Sequence, residues 1–198
     1  MRLFEVQPAG LPGVAAFVVG GLLFFAILVR TLVMAGRAEA GEKRSGASRL
    51  GIGLQMAGFA AVGFGGLRIA LLPASPPALA QAAAVAALMG GAILLFLAAS
   101  RAMGANWSLA ARMRADHQLV TGGVFARLRH PIYAGMALFL AAEAVGLGHY
   151  RHLLVGVPLF VAGTGLRVRE EERLLRAQFG AAYEDYARRV KRFLPGIA

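Results

Sequence analysis

PIYAGMALFLAAEAVGLGHYRHLLVGVPLFVAGTGL, residues 131–166, is two apolar runs split by Gly148-His149-Tyr150-Arg151-His152. Each run is too long for a buried strand and too uniformly apolar for a surface helix. Pro131 suits the first turn of a helix, where its missing N–H has no partner to lose. The stretch therefore predicts a tight helical hairpin over 131–147 and 153–166. Outward from it, three further apolar runs cover 11–34, 50–72 and 78–99. Five spans result, each read against the roughly 20 residues a bilayer crossing requires. No strand-like alternation accompanies them.

Composition agrees. Of 198 residues, 58% are apolar and 16% charged; a soluble domain is about 45–50% apolar and about 25% charged. A soluble enzyme and a disordered chain are excluded. Cysteine is absent, which excludes disulfides, a thiolate nucleophile and a thiolate zinc site. The first apolar run is long, and Arg30 and Arg37 interrupt the approach to Ala38-Glu39-Ala40, so no cleavable signal peptide is expected.

The net charge of +11 is explained by position. Seventeen of the 21 Lys and Arg residues lie in 36–49, 101–130 and 167–198. With five spans these segments share one side. The positive-inside rule puts that side, with the C-terminal helical tail, in the cytoplasm and the N-terminus outside. Anionic lipid is the expected partner of the arginines; nucleic acid is not, because no recognition motif accompanies them. The expected architecture is an all-α integral membrane protein forming a single membrane domain over 1–198. Residues 1–100 are a three-helix hydrophobic half. Residues 101–198 hold the chemistry-bearing side chains.

Two segments of that second half stand out. The first runs His117-Gln118-Leu119-Val120-Thr121-Gly122-Gly123-Val124-Phe125 and on to Arg129-His130-Pro131-Ile132-Tyr133-Ala134-Gly135. His130 falls at the N-cap of span four, beside unpaired N–H groups and the positive end of the helix dipole. On spacing alone the segment also reads as an interfacial anchor of Arg, His and Tyr. The second runs from Arg167 through Glu170-Glu171-Glu172 to Phe179-Gly180, then Tyr183, Tyr186 and Pro195. Span five is expected to continue as one helix to Phe179. Arg167 and Glu171, four apart, share a face. Glu170 and Glu172 read as solvated, Trp107 as an interfacial belt residue, and His149 and His152 as outer-loop residues. Gly63-Phe64-Gly65-Gly66 and Gly163-Thr164-Gly165 lie within spans and read as helix-packing glycines. Arg68 and Glu143 lie inside apolar runs at matching depth, which suggests a paired contact.

Together, in this order around a hairpin, the two segments resemble the isoprenylcysteine carboxyl methyltransferase family in its broad prokaryotic branch. The patterns His-x-Leu-Val-x-x-Gly and Arg-His-Pro-x-Tyr-x-Gly stand at 117–135. Glu-Glu-x-x-Leu-x-x-x-Phe-Gly-x-x-Tyr-x-x-Tyr stands at 171–186. The resemblance implies S-adenosylmethionine as methyl donor at the cytoplasmic face and no metal. It implies donor binding by His117, Gln118, Leu119, Val120, Phe125, His130, Pro131, Ile132, Tyr133 and Glu171, and assigns Arg167 to the substrate. Arg167 and Glu171 are the candidate catalytic pair. Phe125 stands where a Tyr is usual, and Ala110 where eukaryotic members carry a polar donor contact. The implied acceptor is a lipophilic small molecule or lipid-modified substrate bearing a carboxylate, in a bacterial inner membrane. Phospholipid or amine N-methylation, NADPH-dependent reduction on a related architecture, and a non-catalytic membrane role are the alternatives.

Overall fold

The structure is a computed structural model that describes residues 5–34, 46–104, 107 and 118–193. His117 and Ala110 lie outside the described residues. Among the described residues six α-helices carry the fold: α1 (Leu11–Met34), α2 (Gly46–Gly63), α3 (Pro76–Met103), α4 (Pro131–Leu147), α5 (Leu153–Phe179) and α6 (Ala181–Arg189). α1 and α3 are each long and apolar enough to cross a membrane, and α4 is a shorter apolar helix. At 1.5 Å per residue the 24 residues of α1 extend about 36 Å. Its Val19, Leu22, Phe25 and Val33 face outward, as lipid-facing side chains must.

Aromatic side chains join the bundle. Phe139 of α4 meets Phe24 and Phe17 of α1 at 5.2 and 5.7 Å and Phe59 of α2 at 5.6 Å, all edge-on. Val85, Met89, Ala92 and Phe96 of α3 complete this core. Trp107 belongs to it too: it is buried against Phe96 at 6.1 Å and is not an interfacial belt residue.

α2 and α5 meet through glycines. A Cβ on Gly51 would stand 2.8 Å from the Gly163 carbonyl, and one on Gly58 2.8 Å from the Gly156 carbonyl. Such close backbone approach is how small residues drive helix association where no hydrophobic effect operates. Gly163 has the packing role expected of it. Gly66 and Gly165 do not, since a Cβ on either would meet nothing within 4 Å.

The second run ends as a helix at Gly63, not at residue 72. Gly65 takes a φ of +138°, which breaks the helix. The histidines of the α4–α5 turn then cap its exposed carbonyls. His149 Nδ1 lies 2.7 Å and His152 Nδ1 3.2 Å from the Val62 carbonyl, and His149 Nε2 lies 3.1 Å from that of Gly66. Both residues lie in the connection between α4 and α5, as expected, but their rings are fully buried and 4.3 Å apart.

Beyond Gly66 the chain is extended. Two short parallel strands, β1 (Ala9–Gly10) and β2 (Ile69–Leu71), form where none was expected. Gln81 of α3 stabilises the pair: it accepts from Gly10 N–H at 2.7 Å and donates to the Val145 carbonyl at 2.7 Å. This departure separates Arg68 from Glu143. Arg68 is exposed on the extended segment, whereas Glu143 lies against Gly63, and the two form no ion pair.

The first of the two apolar runs has the bounds expected of it, α4 covering Pro131–Leu147, and it packs chiefly on α3 while α5 packs on α2. Gly148 closes α4 in the left-handed region at φ 72°, with the Gln7 carbonyl where a Cβ would come within 2.3 Å. Gly148→Ala meets both a left-handed penalty of about 1–2 kcal/mol and a backbone clash. Its thermal midpoint in detergent is expected to fall by several degrees, with Gly53→Ala, where space is open, as the unshifted control.

α5 runs unbroken to Phe179, and Gly180 at φ 50° turns the chain into α6. The tail then folds back. Arg129 N–H donates to the Lys191 carbonyl at 2.9 Å and His130 N–H to that of Arg192 at 3.0 Å. The C-terminal segment is thereby tied to the N-terminus of α4.

Candidate active site

The tail and the α4 N-terminus converge on Glu172. This side chain is 1% exposed, so the reading of Glu172 as solvated is corrected. Arg192 binds it through two nitrogens, Nε to Oε1 at 2.9 Å and Nη2 to Oε2 at 2.8 Å. Arg129 Nη1 lies 3.2 Å away, Arg176 Nη2 3.3 Å and His130 Nε2 3.2 Å. The other nitrogen of the same imidazole, Nδ1, stands 3.6 Å from Glu171. His130 is thus held between two carboxylates at the N-cap of α4, the position its sequence predicts.

Charge and burial compete here. Burial opposes ionisation of Glu172, but the bonds from His130 and Arg192 and the Arg129 charge overcome it. Its carboxyl titrates well below the usual carboxylate range. Burial likewise opposes charging of His130, and the bonds to Glu171 and Glu172 with their charges raise its affinity for the proton above the ordinary value. Glu172 therefore contributes stability above its unfolded value of 4.5, lost as pH falls through the lower folded one. His130 contributes below its unfolded value of 6.5, lost as pH rises through the higher folded one. The thermal midpoint is expected to peak between about pH 4.5 and 6.5, with the acid limb flattened in Glu172→Gln.

Two regions flank His130. On one side is a cavity of about 70 Å³ lined by Gln118, Leu119, Val120, Phe125 and His130, with Arg129, Tyr183 and Tyr186. Five of the residues singled out in the sequence meet there. Tyr186 donates to the Phe125 carbonyl at 2.7 Å and holds that wall. The Tyr183 hydroxyl and Arg129 Nε are buried with no hydrogen-bond partner among the described residues. Buried polar atoms in this condition are costly unless a ligand satisfies them.

On the other side, Tyr133 donates a hydrogen bond to Glu171. The Arg167 guanidinium stacks on the Tyr133 ring, with Cζ 5.0 Å from its centroid. Arg167 is 7% exposed and donates to Gln55 Oε1 at 2.8 Å. Pro131 is buried at the start of α4 and sets the entry of that helix. Ile132 is not brought to either region; it packs against the aromatic core. Sequence reading missed Glu172, Arg129, Arg192, Tyr183 and Gln55. The Glu171-Glu172 doublet and the Tyr183, Tyr186 spacing were visible signals for two of them, Glu172 and Tyr183, whereas Gln55 is one amide in an apolar run.

A helical fold with two helices able to cross a membrane and a cation-lined polar site at the N-terminus of α4 defines the class. Residues 83–177, just under half of the chain, match the isoprenylcysteine carboxyl methyltransferase (ICMT) family. Protein-S-isoprenylcysteine O-methyltransferase of Schizosaccharomyces pombe is 32% identical over 89 residues, covering 45% of this chain and 38% of that protein. The enzyme of the same name from Dictyostelium discoideum is 33% identical over 92 residues, 42% of this chain and 35% of that one. Methanethiol S-methyltransferase 2 of Bradyrhizobium diazoefficiens is 38% identical over 71 residues, 35% of this chain and 26% of that one. The chain spans well under half the length of these relatives. The solved structure of the eukaryotic intramembrane Ras methyltransferase ICMT superposes with a TM-score of 0.55 at 19% identity, covering 94% of this chain and 68% of that one, and shares its fold.

Proposed function

We propose that this protein is an S-adenosylmethionine-dependent methyltransferase that esterifies a carboxylate on a lipophilic, membrane-embedded acceptor. The observation that carries the reading is the adjacency, across His130, of two unlike regions: the cavity at Gln118–Val120 and the buried Arg167–Tyr133–Glu171 group. The cavity residues fit the donor. The buried Tyr183 hydroxyl and Arg129 Nε offer hydrogen bonds that nothing described takes up, and Gln118, Phe125 and His130 line the same wall. The small volume requires the walls to part, and the described residues 118–120 form one of them. When bound, the donor supplies an electrophilic methyl group.

The chain's own residues supply orientation and charge. An acceptor carboxylate is ionised at neutral pH, with a reference pKa near 4, so no general base is required. Arg167 binds that carboxylate; its planar fork favours a two-point contact. Tyr133 fixes the guanidinium plane from one face. Glu171, anchored by Tyr133 and facing His130, would supply the negative charge that a bound donor's sulfonium calls for. Burial of the group excludes water, and the remaining requirement is approach geometry.

The two halves work as one membrane domain. In the topology proposed, five spans leave the N-terminus outside and the site at the cytoplasmic face of a bacterial inner membrane, the reading supported by the 17 basic residues in the three segments assigned to that side. The absence of cysteine allows a clean test. Tyr150→Cys is expected to react with an impermeant maleimide in intact cells, and Glu184→Cys only after permeabilisation; the reverse pattern contradicts the orientation.

The acceptor is tested with purified protein, labelled donor and three probes: N-acetyl-S-farnesylcysteine, an alkanethiol and phosphatidylethanolamine. Base-labile label on the farnesylcysteine is the expected product. Label on the thiol alone places this chain's chemistry with that of the methanethiol relative, and label on the lipid amine favours N-methylation.

A further inference from the structure

Gln55 lies in the middle of α2, outside the residues that match the family. It is 1% exposed. Its Oε1 accepts from Arg167 Nη1 at 2.8 Å, and its Nε2 donates to Thr164 Oγ1 at 2.8 Å. The chemistry of the partners sets the direction. A guanidinium carries only donors, so it selects the amide oxygen and leaves the NH2 group for the threonine hydroxyl. Thr164 lies one turn before Arg167 on α5, so Gln55 ties that turn to α2.

Two more contacts restrain the same arginine. The Tyr133 ring lies under the guanidinium at 5.0 Å. The side-chain stem runs across Gly51, where a Cβ would stand 2.5 Å from Arg167 Cγ. One edge and the stem of the arginine are held by α2, and one face by α4. Of these holds, the amide is the one that grips the charged head by a directed bond. It is neutral, so it orients the guanidinium without cancelling its charge. A carboxylate there would bind more strongly and would compete with an anionic acceptor.

We propose that Gln55 is a positioning residue that aims the Arg167 guanidinium at the acceptor carboxylate, so that α2 takes part in selecting an acidic acceptor. The inference rests on the carboxylate reading above.

The test uses the full chain in lipid nanodiscs with Gln55→Glu and Gln55→Leu. Three quantities are measured: the Kd of S-adenosylhomocysteine by calorimetry, the Kd of N-acetyl-S-farnesylcysteine in its presence, and kcat and KM for that acid. For Gln55→Glu, the product affinity is expected to stay within about twofold. The KM and Kd of the acid are expected to rise about tenfold or more with kcat little changed, the signature of lost acceptor binding. Gln55→Leu is expected to move the same quantities in the same direction by less. An unchanged acid affinity in Gln55→Glu overturns the inference. So does a parallel loss of product and acid affinity, which makes Gln55 a support of the whole fold. Wild-type protein that binds the product but neither binds nor methylates the acid overturns the carboxylate reading itself, and this inference with it.

Discussion

Glu172→Gln is expected to cost the purified protein about 3 kcal/mol of stability, the range for breaking one side of a buried ion pair, and to remove S-adenosylhomocysteine binding. Glutamine keeps the shape and loses the charge. Arg192 and Arg176 are nearly half exposed, at 46% and 43%, and turn to water at small cost. Arg129 at 11% and His130 at 5% do not have that escape. Arg129 becomes a buried positive charge facing an amide, His130 loses a bond to one of its two carboxylates, and the unpaired arginine sets the size of the loss. Both line the cavity, so the damage reaches ligand binding. Thermal unfolding and calorimetry check the two effects. Asp185→Asn is the control: it and its partner Arg188 are both well exposed on α6, and no measurable change is expected there.

Arg167→Met is expected to lower kcat/KM for a farnesylcysteine acceptor by about three orders of magnitude, with S-adenosylhomocysteine affinity unchanged. Removing one partner of a buried, hydrogen-bonded charge pair costs about 2–5 kcal/mol, and about 4 kcal/mol at 1.36 per decade gives that factor. Methionine fills much of the stem's volume beside Gly51, so folding survives. Arg167→Lys is expected to recover little, because an ammonium on a flexible stem reproduces neither the two-point fork nor the stacking on Tyr133. Steady-state kinetics with both variants, beside product calorimetry, separate acceptor binding from donor binding.

The parts of the fold that were legible in the sequence are those decided locally. The bounds of α1 and α4 follow from where apolar runs begin and end and from Pro131 and Gly148. The end of α2 was hidden because Phe64, Leu67, Ile69, Leu71 and Leu72 keep the composition apolar after the helix has stopped. Its stop depends on a positive φ at Gly65 and on two histidines some 87 and 90 residues away. The site divides the same way. His130 was legible because an N-cap before proline is a local feature. Glu172 was read as solvated because the helix considered alone exposes it; the returning tail, through Arg192, buries it. Gln55 has meaning only once Gly51 and Gly163 bring α2 onto α5. Helix periodicity says which residues share a face, not which distant segment will cover that face.

The central claim is that the cavity beside His130 binds the methyl donor. Calorimetric titration of S-adenosylhomocysteine into the nanodisc-reconstituted protein, wild type beside His130→Ala, tests it directly. Saturable binding by the wild type at one site per chain, lost in His130→Ala while the variant remains folded, is the predicted result. No binding by folded wild-type protein, or equal binding by both proteins, contradicts the account.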